Sequence, residues 1–140
     1  MDIILLVEDN DDIRENLAEI MELAGYKVHA AANGVQGVAM AILHMPDLVV
    51  CDIMMPELDG FGVLEQLRTT PGTKDMPIIF LTAMAEPKEK KLGMDLGAYD
   101  YIVKPISGDE PIASIKNYFK QRGNNEGAKK QALHTDTQQA

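Results

Sequence analysis

One cysteine, Cys51, stands alone among 140 residues, so the chain can form neither an internal disulfide nor a thiolate metal site, a composition that fits a reducing compartment. Positive charge is scarce: 13 Lys and Arg face 22 Asp and Glu, giving a formal net charge of −9 with no basic patch to offset it. Such a chain is repelled by phosphate backbones and anionic membranes, and direct nucleic-acid binding is not expected. Long apolar runs are missing too. Ile3-Ile4-Leu5-Leu6-Val7 falls far short of the ~20 residues that span a membrane. Met1-Asp2 gives no basic flank for a signal peptide, so a soluble, cytoplasmic protein without membrane contact is expected. No Gly-rich nucleotide loop occurs in the chain.

What is present is enough hydrophobic material, 46% of the residues, for one packed domain and no more. Ile3 to Val7 is an apolar run of strand length. Asp11 to Leu23 then carries Ile13, Leu17, Ile20 and Met21 at helical spacing, with Gly25 as the stop and Asp11 or Asp12 as the expected cap. A short strand over Lys27–Ala31 precedes a helix over about Gly34–Leu43, with Val35, Val38, Ala39, Ile42 and Leu43 as its apolar members and Pro46 beyond its end.

Leu48 to Cys51 is a third strand, running into Asp52. Asp59-Gly60 then makes a turn and starts a helix over Phe61–Arg68. Pro77 to Leu81 is the fourth strand, and a polar helix over about Pro87–Leu96 has Leu92 and Leu96 at i,i+4. Tyr99 to Val103 is the fifth strand, and Glu110 to Arg122 the last helix, through Ile112, Ile115 and Phe119. Residues 123–140 turn polar and are expected to be a disordered tail or truncated linker, leaving 1–122 as the domain. Strands apolar on both faces and separated by helices imply an α/β fold of three layers around an open parallel sheet. Periodicity leaves the strand order open.

In such a sheet, ligands bind beyond the carboxyl ends of the strands. Those ends present Glu8-Asp9, Asp52, Thr82 and Lys104-Pro105: carboxylates, a hydroxyl and an ammonium on one rim. An all-oxygen set of few carboxylates suits Mg²⁺ better than Ca²⁺, and the segment from Asp9 to Asp12 lacks the calcium-loop pattern. Cation, carboxylate, hydroxyl and lysine together match phosphoryl chemistry, with the phosphate brought by another molecule. A phosphatase-type hydrolase would need a second Asp two residues past Asp52 as general acid, and that position is Met54. His29, His44 and His134 lie apart in the element order and are expected to be ordinary solvated or packed residues. Cys51 is expected to point away from the Asp52 face into the core.

Four segments, Leu5 to Asn10, Pro46 to Gly60, Leu81-Thr82-Ala83 and Gly97 to Pro105, together make residues 2–122 resemble the receiver domain of two-component response regulators. The resemblance implies a flavodoxin-like (βα)5 fold with strand order 2-1-3-4-5 and a phosphoacceptor at Asp52. Mg²⁺, or Mn²⁺ in its place, would be held by Asp9, Asp52 and the backbone carbonyl of Met54, with Glu8 contributing through water. Lys104 and the Thr82-Ala83 corner would bind phosphoryl oxygens, and Met54 and Met84 would modulate hydrolysis.

It further implies a switch in which Thr82 moves toward the phosphoryl group while Tyr101 turns inward, and a cis bond at Lys104-Pro105. A plain reading of Tyr101 as a packed strand aromatic stands beside the switch. The implied partners are a sensor histidine kinase or histidine phosphotransfer protein. A second copy could join through the face of the fourth helix, fifth strand and fifth helix. The chain would assist its own phosphorylation and dephosphorylation without being a turnover enzyme. The pattern departs from the family at Ile106, where members usually carry Phe. A receiver-like module that binds partners without phosphate is the alternative.

Overall fold

The computed structural model describes residues 1–104 and 109–139, with side chains described through Asn124. Five strands, β1 (Ile3–Val7), β2 (Lys27–Ala31), β3 (Leu48–Cys51), β4 (Ile78–Thr82) and β5 (Asp100–Val103), form one sheet. Every pairing is parallel and the order is β2-β1-β3-β4-β5, as the family resemblance implied. Helices α1 (Asp11–Leu23), α2 (Gly34–His44), α3 (Gly60–Thr69), α4 (Pro87–Asp95) and α5 (Asp109–Gln139) alternate with the strands, and a 3-10 turn over Pro71–Thr73 lies between α3 and β4.

Two apolar clusters cover the two faces of the sheet. Leu5, Val7, Val49, Cys51, Ile78 and Phe80 pack with α2 and α3 residues on one side; Ile4, Leu6, Val50, Ile79 and Leu81 pack with Leu17, Met21 and Ile115 on the other. Neighbouring residues of each strand fall into opposite clusters, as the period of an extended chain requires. Cys51 is fully buried in the first cluster.

The helix faces differ from expectation in three places. In α2 the buried residues are Gly34, Gly37, Val38 and Ala41, while Val35, Ile42 and Leu43 are exposed. The reason is close approach: a Cβ on Gly37 would lie 2.8 Å from Val7 Cγ2, so small residues face the sheet, with Val38 the one expected bulky residue among them. In α4, Leu92 and Leu96 are likewise exposed and Gly93 is the buried residue. The α1 cap is Asn10, whose side chain accepts from the Ile13 amide at 3.0 Å, leaving Asp11 and Asp12 as first-turn acids favourable to the helix dipole.

Other expectations hold locally. Asp59 caps α3 through the Gly62 amide at 2.8 Å, and Gly25, at φ 102°, follows the end of α1 where a left-handed residue is needed. The last helix does not stop near Arg122; its backbone stays helical to Gln139, through a polar stretch in which only the middle, Ala128 to Leu133, is made of good helix formers throughout. Pro105, Ile106, Ser107 and Gly108 lie outside the described residues, and with them the cis bond expected at Lys104-Pro105 and the departure at Ile106. Among the described residues, no helix is long and apolar enough to cross a membrane.

Candidate functional site

Four adjacent strands, β1, β3, β4 and β5, deliver the site. β1 ends at Val7 and passes directly into Glu8-Asp9, and the Glu8 amide donates to Ala31 O at 3.1 Å, extending the β1–β2 ladder by one bond. β3 ends at Cys51, and the Asp52 amide donates to Val7 O at 2.9 Å. At the far side, the Lys104 amide donates to Thr82 O at 2.7 Å. Sheet hydrogen bonding therefore holds Glu8, Asp52 and Lys104 at one rim before any side chain is placed.

Their side chains meet there. Lys104 Nζ donates to Glu8 Oε1 at 2.5 Å and to Asp52 Oδ2 at 3.2 Å. Glu8 is 2% exposed and Asp52 7%, whereas Asp9 is exposed to solvent. Carboxylate oxygens of all three acids lie within 4.8 Å of one another. The second Glu8 oxygen, Oε2, is buried and has no hydrogen-bond partner among the described residues. Burial and the neighbouring Asp52 push the Glu8 carboxyl up to about 7 despite Lys104. Lys104 is itself held above its usual range, because burial, which disfavours its charge, is outweighed by its bonds and attraction to Glu8 and Asp52.

One lysine thus faces two buried acids, with a lone carboxylate oxygen left over. That is the donor set a hard divalent cation satisfies: anionic oxygens on a partly open rim, with room for water on the Asp9 side. The cluster fits such an ion, and it is the acidic pocket expected of the family.

The remaining rim residues surround this cluster. The Met54 amide donates to Asp52 Oδ1 at 3.2 Å, which fixes the carboxylate's rotation, while the Met54 side chain is exposed. Thr82 is fully buried at the end of β4, and its Oγ1 accepts from the Met84 amide at 3.3 Å. Ala83 is exposed and Met84 packs partly into the core. Tyr101 is 4% exposed, and its hydroxyl donates to Met84 O at 2.7 Å. Glu8, Asp9, Asp52 and Lys104 are brought into one cluster; Thr82 and Tyr101 are joined to each other through the Met84 peptide.

Two contributors escape a sequence reading. Arg14, one turn into α1, donates to the Glu8 carbonyl at 2.9 Å and to Asp11 at 2.6 Å, so the basic residue of that helix clamps the loop carrying the acids. Gly60 lets α3 begin against the loop that follows Asp52: a Cβ there would lie 2.5 Å from Asp52 O and 2.7 Å from Ile53 Cα. Its place after Asp59 marks a turn in the sequence, but the contact with Asp52 is visible only in three dimensions.

Two of the histidines are packed, as expected, but against each other. His29 of β2 and His44 at the end of α2 stack with ring centroids 4.0 Å apart and planes 9° from parallel. They lie apart in the sequence but are joined because α2 runs back along β2. Partial burial, then His44 and Lys27, lower the His29 pKa. The His134 side chain lies outside the described residues. The Cys51 thiol, fully buried and close to Asp52 and Glu8, is pushed well above its usual range, which suits packing.

A doubly wound parallel sheet whose strand ends gather three acids, a hydroxyl and a lysine defines the receiver class of signalling domain. The chain belongs to the response regulator receiver domain family, whose model matches residues 4–116. It is 36% identical over 118 residues to the DNA-binding dual master transcriptional regulator RpaA of Synechocystis sp., covering 84% of this chain and 49% of that protein. It is 38% identical over 130 residues to the response regulator MprA of Mycobacterium sp., covering 93% of this chain and 56% of that protein. The chain therefore spans about half the length of the curated relatives it matches.

Solved structures agree. The Francisella response regulator 1452 receiver domain superposes with a TM-score of 0.81 at 29% identity, covering 87% of this chain and 99% of that one. The Vibrio cholerae chemotaxis protein CheY4 does so with a TM-score of 0.79 at 30% identity, covering 84% and 98%.

Proposed function

We propose that this receiver domain accepts a phosphoryl group on Asp52 from the phosphohistidine of a sensor histidine kinase or histidine phosphotransfer protein. The observation that carries the proposal is the buried cluster in which Lys104 bridges Glu8 and Asp52 while Glu8 Oε2 has no partner among the described residues. An Asp52 oxygen attacks phosphorus in line, the P–N bond to the donor imidazole breaks, and the imidazole keeps the electron pair and takes up a proton. Lys104, already within 3.2 Å of Asp52, then shifts to a phosphoryl oxygen, and Thr82 offers its hydroxyl to another. Ala83 leaves this approach open to a bulky donor.

Glu8, Asp9, Asp52 and the Met54 carbonyl are the residues that would hold Mg²⁺, or Mn²⁺. When bound, such an ion offsets the charge on the oxygens of the transferred group. Water later removes the phosphoryl group, with the side chains of Met54 and Met84 at the rim tuning its access. The chain assists both steps without being a turnover enzyme. Movement of Thr82 and Tyr101 repacks the α4, β5 and α5 face, which meets an output partner or a second copy of the chain. Residues 1–122 carry this function, and 123–140 are an extension beyond the receiver proper. A net charge of −9 supports a protein partner for this chain, and not its direct contact with nucleic acid.

The test is intact mass after incubation with phosphoramidate, with and without Mg²⁺, on this chain and on Asp52→Ala. A Mg²⁺-dependent gain of ~80 Da, absent from the variant, is the expected result. No gain in either chain would overturn the proposal in favour of a module that binds partners without phosphate.

A further inference from the structure

Helix α4 is the most lightly seated of the described helices, since its one buried residue is Gly93. Its larger apolar residues, Leu92 and Met94, and Leu96 just beyond its end are 40 to 47% exposed. A Cβ on Gly93 would lie 3.1 Å from Tyr101 Cδ2, 3.3 Å from Tyr101 Cε2 and 3.3 Å from Phe80 Cδ2. The edge of the Tyr101 ring therefore stands closer to this position than a side chain there would ordinarily allow, by a few tenths of an ångström. Glycine is among the poorest helix formers, so α4 gives up helix stability to leave that space open.

The ring is caught on two further sides. Its hydroxyl bonds the Met84 carbonyl, and its face meets Phe80 edge-on, with centroids 6.2 Å apart and planes at 71°. The Met84 peptide in turn donates to the Thr82 hydroxyl. An unbroken line of contact thus runs from Gly93 through the Tyr101 ring and the Met84 peptide to Thr82 on the site rim. Were a side chain to fill position 93, one neighbour would have to yield by a few tenths of an ångström. Phe80 is fully buried in a central strand and has nowhere to go. Tyr101 can yield by rotating outward, giving up its bond to Met84.

We propose that Gly93 is a positioning residue for phosphorylation at Asp52: its missing side chain is the slot that holds Tyr101 inward, and through the Met84 peptide it keeps the Thr82 hydroxyl in place. The link to phosphorylation rests on the phosphoacceptor reading of Asp52; the slot itself rests on packing alone. Occupancy of the slot sets the balance between the inward and outward Tyr101 conformers, and α4 docks or loosens with it.

The test uses the full chain as wild type, Gly93→Ala, Tyr101→Ala and the double variant, together with Leu92→Ala on the exposed side of the same helix. With 3-fluorotyrosine incorporated, the ¹⁹F resonance lost in Tyr101→Ala identifies that ring. It is expected to shift or split toward an exposed position in Gly93→Ala and to stay in place in Leu92→Ala. Thermal melting is expected to reverse sign: Gly93→Ala lowers Tm in the wild-type background, where the ring is in the way. In the Tyr101→Ala background it raises Tm by roughly 4 °C, where only the gain in helix propensity remains.

Phosphorylation by phosphoramidate, followed by intact mass, is expected to slow by roughly five-fold in Gly93→Ala. An unmoved Tyr101 resonance, or a Tm change of the same sign in both backgrounds, overturns the slot. A moved resonance with an unchanged phosphorylation rate overturns the positioning role. If the wild type itself takes up no phosphoryl group, the phosphoacceptor reading fails, while the resonance and melting results still decide whether Gly93 holds Tyr101.

Discussion

At the carboxyl ends of the strands, two buried carboxylates share one lysine, and an oxygen of Glu8 has no partner among the described residues. At the amino ends the same sheet is closed by groups that satisfy one another. Asp47 accepts from the Ile3 amide at 2.8 Å and from Arg122 at 3.1 Å, tying β1 and the start of β3 to α5. Rings of Tyr99, Tyr118, Phe119 and Tyr26 follow in contact, each 5.1 to 5.6 Å from the next, and Arg122 lies over Phe119. The Tyr99 hydroxyl donates to Gln121 and accepts from Asn117, both at 2.8 Å. The contrast teaches where a small domain can keep unsatisfied charge: at one edge, provided the opposite edge is well fastened.

The comparison is broken most forcefully at Gly60. Gly60→Ala drives a methyl against the Asp52 carbonyl and the Ile53 backbone, neither of which is a side chain that can turn aside. A loss of about 3 kcal/mol in urea denaturation is expected, with slowed phosphoryl uptake because Asp52 is displaced. At the other end, Asp47→Ala removes the acceptor of the Ile3 amide and one acceptor of Arg122. It is expected to cost about 2 kcal/mol while leaving the rate of phosphoryl uptake unchanged. Equal slowing by both variants would mean that the two ends act as one unit.

How much of this was legible in the sequence depends on what kind of information each feature needs. β1, α1, β2 and β3 are bounded where their apolar runs and stop residues place them, because those limits are local. The acids and Lys104 were legible because each stands at the end of such a run. Strand order was not, since strands apolar on both faces say nothing about their neighbours, and it came from the family resemblance. The buried faces of α2 and α4 were misassigned because periodicity rewards bulky residues, while both helices approach the sheet through glycine. Close approach is a property of two chain segments at once, and so are the Arg14 clamp and the His29–His44 stack. The continuation of α5 past Arg122 was not legible because that stretch carries no apolar stripe.

Glu8 offers a change in which stability and function part company. Glu8→Gln replaces a buried, partly uncompensated carboxylate with an amide that can accept from Lys104 and donate to Asp52, so ion-free stability is expected to rise by about 1 kcal/mol. Mg²⁺-dependent phosphoryl uptake is expected to fall. The pH dependence carries the same sign. With a folded-state pKa of about 7 against an ordinary 4.5, Glu8 retains a proton in the folded chain that the unfolded chain has released. Its contribution is fully present below about pH 4.5 and is lost as pH rises through 7, so the stability of the ion-free wild type declines across that window. Glu8→Gln is expected to flatten the decline. A slope unchanged in the variant would place the titrating group elsewhere.

The smallest expected effect sharpens the comparison from the fastened end. Tyr99→Phe keeps the ring that packs on Tyr118 and removes the hydroxyl shared by Gln121 and Asn117, both at exposed positions on α5. Solvent can replace those bonds, so a loss of about 0.5 kcal/mol is expected in urea denaturation, with phosphoryl uptake unaltered. A loss several times larger would show that α5 is held by this polar bridge and not by the ring contacts. The strength of the amino-terminal edge would then lie in hydrogen bonds as vulnerable to removal as those around Asp52.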